Sequence, residues 1–280
     1  MEHTSGKFEM NAWLKKMMVA LLALGIGQAA WADEVPNLKK IVQRAEAGES
    51  DVQVILGSMY LRGIGVRQSD QEAVRWYRKA AEQGLATAQY HLGVMYANGR
   101  GVRQNDEEAV RWYRKAAEQG DVDAQNNLGA LYDEGQGVRQ DSAEAVRWYR
   151  KAAERGYVVA QNNLGVAYSE GQGVRQDYPE ALRWYRKAAE QGFAAAQHNL
   201  GEMYYEGKGV HQNYTEALQW YLKAAEQGFS PAQNRLGEMY EEGQGVPKNP
   251  KVAKEWHKKA CDNGFQDGCN DYRKLNNEGH

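Results

Sequence analysis

The sequence has little net charge and no long apolar run. Its 280 residues include 35 basic and 37 acidic side chains, for a formal charge of −2, and this balance argues against a nucleic-acid-binding protein that relies on net positive charge. The one apolar run, at residues 17–26, is too short to span a bilayer. Charged residues make up 26% of the chain and apolar residues 42%, which excludes a disordered chain.

Motifs of enzymes and metal sites are also missing. The chain contains no H-E-x-x-H, no G-x-S-x-G and no paired metal-ligand spacing, and its histidines include no i,i+4 pair. The recurrent Gly-x-Gly-Val-Arg-Gln loop has glutamine where a dinucleotide-binding loop needs its third glycine. We therefore expect no catalytic residues, no metal and no cofactor.

The N-terminal segment is typical of an export signal. Two lysines precede the apolar run, and residues 30–32 (Ala-Trp-Ala) place small residues before a cleavage point at Asp33. We predict that residues 1–32 are a signal peptide, with Met10 as the start of translation, and that the protein is periplasmic or secreted. The alternative for the apolar run is a short buried helix.

A strict 36-residue period organises the rest of the chain. Twenty-four of the 30 glycines and 11 of the 17 tyrosines fall on it, as do six of the 8 tryptophans, at positions 76, 112, 148, 184, 220 and 256. Such regular spacing indicates an array of structural repeats.

Each unit predicts two helices joined by a glycine loop. In the first half, apolar residues recur every four positions, as in Ala124, Leu128 and Tyr132, and Gly135 then ends the helix. The second helix begins at a capping residue: Ser69, Asn105, Asp141, Asp177, Asn213 or Asn249. In five units a glutamate three residues later completes a capping box.

The period divides the chain into caps and repeats. Residues 33–48 predict an N-terminal capping helix, residues 49–264 six 36-residue helix–loop–helix repeats, and residues 265–280 a C-terminal capping helix and tail. A single unit cannot bury its apolar stripe, but stacked units share a continuous core. The fold class predicted is an all-α solenoid.

The repeat pattern is A-x(3)-L-G-x(2)-Y-x(2)-G-x-G-V-x(2)-D/N, followed by A-x(2)-W-Y-x-K-A-A-E-x-G. It resembles the Sel-one-like repeat, a longer cousin of the tetratricopeptide repeat. The resemblance implies a right-handed α-solenoid that serves as a protein-binding scaffold or adaptor, without catalysis.

The chain has two cysteines, Cys261 and Cys269. Two cysteines in an exported protein usually pair, and secreted cysteine-rich members of the resembled family carry a disulfide at this same spacing in each repeat. The resemblance therefore implies a Cys261–Cys269 disulfide, worth roughly 2.6 kcal/mol in the chain-entropy model. Zinc is the alternative, with only His257 nearby as a further ligand.

Three other functions are open to such a chain. Some cysteine-rich relatives have been linked to penicillin binding and weak β-lactam hydrolysis, but S-x-x-K, S-D-N and K-T-G are absent after residue 32. The convex face could organise envelope complexes. The recurrent Val-Arg-Trp-Tyr-Arg-Lys could stack on nucleic-acid bases, although pairs such as Glu72 with Arg75 and Arg78 with Glu82 favour a solvated, ion-paired outer face.

Positions that vary between units are free of packing constraints. In tetratricopeptide arrays the first helix of each unit lines the concave groove, and that helix is apolar to neutral in the early units and acidic in the last two. We expect asparagines in this groove to bond an extended peptide; the alternative is that these positions are solvated polar residues. The candidate groove residues are Tyr90, Asn126, Asn162, His198, Asn234, Glu202, Glu206, Glu238, Glu241 and Glu242.

The glutamates in this set predict a cationic ligand. Glu202 with Glu206, and Glu238 with Glu242, are like-charge i,i+4 pairs that disfavour a helix, and a cation would relieve this repulsion. We therefore expect a protein or peptide partner with a basic segment, and neither nucleic acid nor a membrane span. The function that the sequence favours is an exported protein–protein interaction scaffold.

Overall fold

The computed structural model describes residues 38–278, and all regular elements within that range are α-helices. The signal peptide expected over residues 1–32 lies outside the described residues. None of the helices between residues 38 and 278 has the length and apolarity that a membrane span requires. The helices are α1 (Leu38–Glu46), α2 (Ser50–Arg62), α3 (Asp70–Glu82), α4 (Ala86–Asn98), α5 (Asp106–Glu118), α6 (Val122–Glu134), α7 (Ser142–Glu154), α8 (Val158–Glu170), α9 (Tyr178–Glu190), α10 (Ala194–Glu206), α11 (Tyr214–Glu226), α12 (Ser230–Glu242), α13 (Pro250–Asp262) and α14 (Gln266–Asn277).

The helices pair into six hairpins, units 1 to 6, with α1 before them and α14 after them. The even-numbered helices α2 to α12 are the first helices of the units, and the odd-numbered helices α3 to α13 are the second. Every second helix begins at its predicted capping residue, whose side chain accepts a bond from the backbone N–H three residues later. First helices end at a glycine with positive φ, such as Gly135 at 70°, a conformation that a side chain would strain.

One core runs through the stack because the tryptophan of a unit packs into the unit before it. Trp112 of α5 shares a buried cluster with Tyr77 of α3 and Leu92 of α4. Trp148 and Trp184 repeat this arrangement one and two units later. Each unit is therefore stabilised by its neighbours, as expected for an α-solenoid.

A glycine in each first helix makes room for an aromatic ring. A Cβ added to Gly165 would lie 2.6 Å from both Cδ1 and Cε1 of the buried Tyr185, and the first five units share this contact. In unit 6, His257 takes the place of the tyrosine against Gly237. The recurrent Leu-Gly pair thus marks the point where a ring lies directly on a helix backbone.

Buried glutamines join consecutive units. Gln89 Nε2 donates to the carbonyl of Ala81, eight residues earlier, at 3.2 Å, and five other glutamines make the same bond. Cys269 occupies the next such position, and its disulfide to Cys261, also eight residues earlier, brings the two Cα atoms within 4.4 Å. The predicted pairing of the cysteines is confirmed, and it replaces the glutamine bond with a covalent one.

The outer face of the second helices is internally paired. Arg75 Nη1 lies 3.1 Å from a carboxylate oxygen of Glu72, and three later units repeat the pair. The prediction that Arg78 pairs with Glu82 is wrong, because Arg78 Nη2 instead donates to Tyr96 Oη at 2.7 Å. These partners support a solvated, ion-paired surface over a base-stacking one.

Candidate binding face

The first helices lie side by side and form a continuous surface, here called the first-helix face. Asn163 of α8 donates to Asn126 of α6 at 3.1 Å, and Asn199 of α10 donates to Asn162 of α8 at 3.0 Å. Towards the C-terminus, an ion pair between Arg235 of α12 and Glu202 of α10 replaces these amide bonds. This face carries the residues that the sequence assigned to a groove.

Two of the predicted asparagines are buried. Asn126 is 8% exposed and Asn234 is 4% exposed, and Asn234 Oδ1 lies 2.8 Å from Nδ1 of His257. Both amide oxygens are engaged within the chain, Asn126 Oδ1 by Asn163 and Asn234 Oδ1 by His257. That these amides bond an extended peptide stays a prediction. Asn162 Oδ1 is likewise engaged, by Asn199 of the next unit.

Aromatic rings occupy the N-terminal half of the face. His91 stacks on Tyr77 with ring centroids 4.9 Å apart, and Tyr90 contacts both His91 and Tyr113 at 5.3 and 5.9 Å. Burial raises the pKa of Tyr113 to about 12 and lowers that of His91. The rings of Tyr113 and His91 are therefore uncharged near physiological pH.

A cleft of about 640 Å³ opens at the C-terminal end of the face, between α10, α12 and α14. It brings together four of the predicted residues: His198, Asn234, Glu202 and Glu238. We call it the C-terminal cleft, and its lining is completed by Pro231, Arg235, Phe265, Asp267, Asn270 and Asp271.

Arg235 crosses between two of the carboxylates. Its Nε lies 2.7 Å from Glu202 Oε1 and its Nη1 lies 2.7 Å from Glu238 Oε2. Tyr221 Oη also donates to Glu202 at 2.7 Å. Burial lowers the pKa of Arg235, but its bonds to Glu202 and Glu238 outweigh burial and raise that pKa overall. The guanidinium stays charged and fixes both glutamates.

This arrangement corrects the argument from like-charge repulsion. Glu202 and Glu238 share Arg235, Glu206 lies 2.6 Å from Lys208 Nζ, and Glu241 lies 2.7 Å from Lys274 Nζ. Internal cations therefore offset the charge of these four glutamates, which the sequence seemed to leave for a ligand.

The remaining predicted glutamates lie outside the cleft. Glu206, Glu241 and Glu242 are absent from its lining. Glu242 is exposed and has no ion pair with a basic side chain among residues 38–278.

Four cleft residues from the terminal half-repeat escaped the sequence argument. These residues belong to α14 or directly precede it, in a segment that the sequence predicts only as a cap: Phe265, Asp267, Asn270 and Asp271. The sequence contains a signal that could have identified this segment as part of the groove. Asn270 stands 36 residues after Asn234, so it occupies the position in the repeat that Asn234 occupies.

Two histidines beside the cleft have incomplete hydrogen bonding. His198 Nδ1 and His257 Nε2 are buried without a hydrogen-bond partner among residues 38–278. His257 is fully buried, and its Nδ1 lies 3.7 Å from Asp271 Oδ2. Burial lowers the pKa of both imidazoles, so they are neutral near pH 7. No group of three His, Cys, Asp or Glu side chains within the described range is arranged to hold a metal ion.

A scan against protein families matches the Sel1 repeat six times, in consecutive stretches. Each match begins one residue after the unit boundary taken from the sequence pattern. The matched residues are 50–85, 86–121, 122–157, 158–193, 194–229 and 230–265.

Solved structures share this fold. The chain is similar to a protective antigen of uropathogenic Escherichia coli that displays an SLR fold, with 42% identity and a TM-score of 0.79. The match covers 86% of this chain and 52% of the antigen, so the chain spans about half of that protein's length. A Sel1 repeat protein from Oxalobacter formigenes is 37% identical with a TM-score of 0.71, over 80% of this chain and 94% of that one. A comparison with curated protein sequences gave no significant match.

The six consecutive matches and the two related structures agree with the 36-residue period and the helical hairpins. Sel1 repeat proteins are generally protein-interaction scaffolds. The chain belongs to the Sel1 repeat family.

Proposed function

We propose that the protein binds a basic segment of a partner protein along its first-helix face and performs no chemistry itself. The observation that carries this proposal is the C-terminal cleft, where first helices of consecutive units contribute side chains to one cavity of about 640 Å³. A cavity of this size accommodates one or two side chains of a bound segment.

The charge of the cleft favours a cationic side chain. The cleft is lined by one guanidinium, that of Arg235, and by four carboxylates, those of Glu202, Glu238, Asp267 and Asp271. The flanking histidines add no positive charge near pH 7, because burial lowers their pKa. The excess negative charge should attract Lys or Arg and repel acidic segments.

The rest of the face suggests what precedes or follows the basic residues. Tyr90, His91 and Tyr113 offer half-buried or buried rings at the N-terminal end, and aromatic side chains are common in protein interfaces. An extended partner would place apolar residues here and basic residues in the cleft.

Export is also part of the proposal. The features at residues 1–32 support a signal peptide, and the Cys261–Cys269 disulfide supports an oxidising compartment, where disulfides persist. The similarity to a protective antigen of Escherichia coli points the same way. We propose a periplasmic or secreted protein.

A peptide titration tests the binding. The purified chain is titrated with a fluorescein-labelled peptide of alternating Lys and Ala and, as matched control, with the same peptide carrying Glu for Lys. We expect binding of the lysine peptide only. Binding should weaken as ionic strength rises from about 0.01 M to about 1 M, where the Debye length falls from about 30 to about 3 Å.

A second control separates the two faces of the solenoid. Arg75→Glu with Arg111→Glu reverses charge on the second helices, where Arg75 is exposed, and should leave peptide binding unchanged. Equal binding of both peptides, or loss of binding in this outer-face variant alone, would contradict the proposal.

A further inference from the structure

The C-terminal cleft has two kinds of carboxylate. Glu202 and Glu238 are held by Arg235 at 2.7 Å each. Asp267 and Asp271, both on α14, form no ion pair with Lys or Arg within residues 38–278. The charge that is available to a ligand therefore lies on the terminal half-repeat.

Asp271 lies close to His257, which is neutral near pH 7 because burial lowers its pKa. His257 Nδ1 lies 3.7 Å from Asp271 Oδ2 but is 2.8 Å from Asn234 Oδ1, which it contacts more closely. His257 is fully buried, and its Nε2 lies 3.7 Å from Glu241 Oε2, outside the cleft. His198 lines the cleft, and its buried Nδ1 has no hydrogen-bond partner among residues 38–278. Polar atoms left unpaired around a cavity are usually satisfied by a ligand or by water.

The cleft also offers an apolar surface beside these aspartates. Phe265 and Pro231 line it and provide apolar contact area, and the face of the Phe265 ring can also attract a cation. A lysine or arginine side chain has an apolar stem and a charged end, and such side chains bury the stem on apolar surface while the charge meets polar groups. Phe265 with Asp267 provides both kinds of contact within one turn of chain.

A covalent link holds this wall in place. Cys269, two residues after Asp267 and two before Asp271, is joined to Cys261 of α13. Leu275 is buried at 1% exposure, and Lys274 pairs with Glu241 of α12 at 2.7 Å. These contacts anchor the end of α14, whereas the disulfide anchors the turn that carries the aspartates.

We propose that α14 is the specificity element of the cleft: Asp267 and Asp271 bind the ammonium or guanidinium group of the partner, its stem lies on Phe265 and Pro231, and the disulfide holds these residues in position. This inference rests on the proposed function. It assigns to the C-terminal half-repeat the recognition that the sequence assigned to the glutamates of units 5 and 6.

The test compares two pairs of neutral variants with the lysine peptide as probe. Asp267→Asn with Asp271→Asn should weaken binding at least about tenfold, because both ligand carboxylates are lost. The matched control, Glu206→Gln with Glu242→Gln, removes two carboxylates outside the cleft and should change affinity less than about twofold. Thermal melting followed by circular dichroism verifies that both variants keep the fold.

A redox arm tests the role of the disulfide. Reduction, or Cys261→Ala with Cys269→Ala, should weaken peptide binding by a similar factor while most of the helical signal is retained. Unchanged affinity after reduction would overturn the role of the disulfide.

The outcomes separate the two proposals. If the wild-type chain does not bind the lysine peptide, the proposed function fails. If it binds and the Asp267→Asn, Asp271→Asn variant binds equally well, α14 is not the specificity element, although the function stands. Loss of binding only in the Glu206→Gln, Glu242→Gln control would show that these glutamates, and not the aspartates of α14, bind the partner.

Discussion

Replacing Gly165 by alanine opposes two effects of known size. Alanine is favoured over glycine inside a helix by about 1 kcal/mol, so helix propensity alone predicts a stabilised protein. However, the added Cβ would lie 2.6 Å from two ring atoms of Tyr185, whereas carbon atoms pack at about 3.5–4.0 Å. The ring or the helix must therefore move by about 1 Å.

That movement is expensive at this position. Tyr185 is 4% exposed, and its hydroxyl lies 3.1 Å from Ser169 Oγ, so the ring is confined on its face and at its end. Overpacking a core costs about 1–3 kcal/mol. Subtracting the gain in helix propensity of about 1 kcal/mol, we expect Gly165→Ala to lower the free energy of unfolding by about 0–2 kcal/mol.

Urea denaturation followed by far-ultraviolet circular dichroism measures this change. The matched control is the same substitution in a Tyr185→Ala background, where the obstructing ring is gone. There the alanine should stabilise by about 1 kcal/mol, the value for helix propensity. A stabilised Gly165→Ala single variant would show that the ring does not constrain the helix and would refute the packing argument.

Three further predictions address the core, the pH response and export. Trp148→Ala should lower the free energy of unfolding by about 3–5 kcal/mol, because the indole is only 6% exposed. Trp256→Ala should lower it by less, because that indole is only half-buried. Equal losses in denaturation would contradict weaker packing at the end of the array. Burial holds the pKa of His257 below its ordinary value of 6.5, and Asp271 and Glu241 partly offset this shift. The unfolded chain therefore binds the proton at a higher pH than the folded chain does. The free energy of unfolding should fall as the pH drops below 6.5. His257→Tyr, which restores the residue of the other units, should reduce that pH dependence in denaturation curves; an unchanged slope would argue against it. Intact-mass analysis of exported protein should give Asp33 as the first residue and two hydrogens fewer than the thiol form, whereas an uncleaved leader or free thiols would contradict export.

The sequence was sufficient for the fold because six copies report on the same structure. Each helix start, such as Asp141, and each helix end, such as Gly135, is repeated at the same place in the 36-residue unit. Agreement among units distinguishes a local structural requirement from chance. The disulfide followed from a family resemblance, and the structure gives its physical basis in the i, i−8 contact that buried glutamines make elsewhere.

The site was harder to predict because it depends on side chains that differ between units. Arg235 stands where other units have Asn, His or Ile, and it was not among the residues predicted to line the groove. Its bond to Glu202 could therefore not be inferred from the period. The bond of Asn234 is made to His257, which replaces the usual tyrosine in one unit only. A repeat pattern predicts the backbone position of a side chain, but the conformation and the contacts of that side chain depend on its particular neighbours.

The disulfide near the end of the array also gives its unfolding a direction. Units in a solenoid depend on their neighbours, so terminal helices are the first to lose structure. The Cys261–Cys269 link opposes this at α14 by roughly 2.6 kcal/mol in the chain-entropy model, whereas α1 has no covalent link to the helices that the structure describes. Fraying should therefore begin at α1 rather than at α14, so that the amide protons of α14, beside the cleft, exchange more slowly than those of α1.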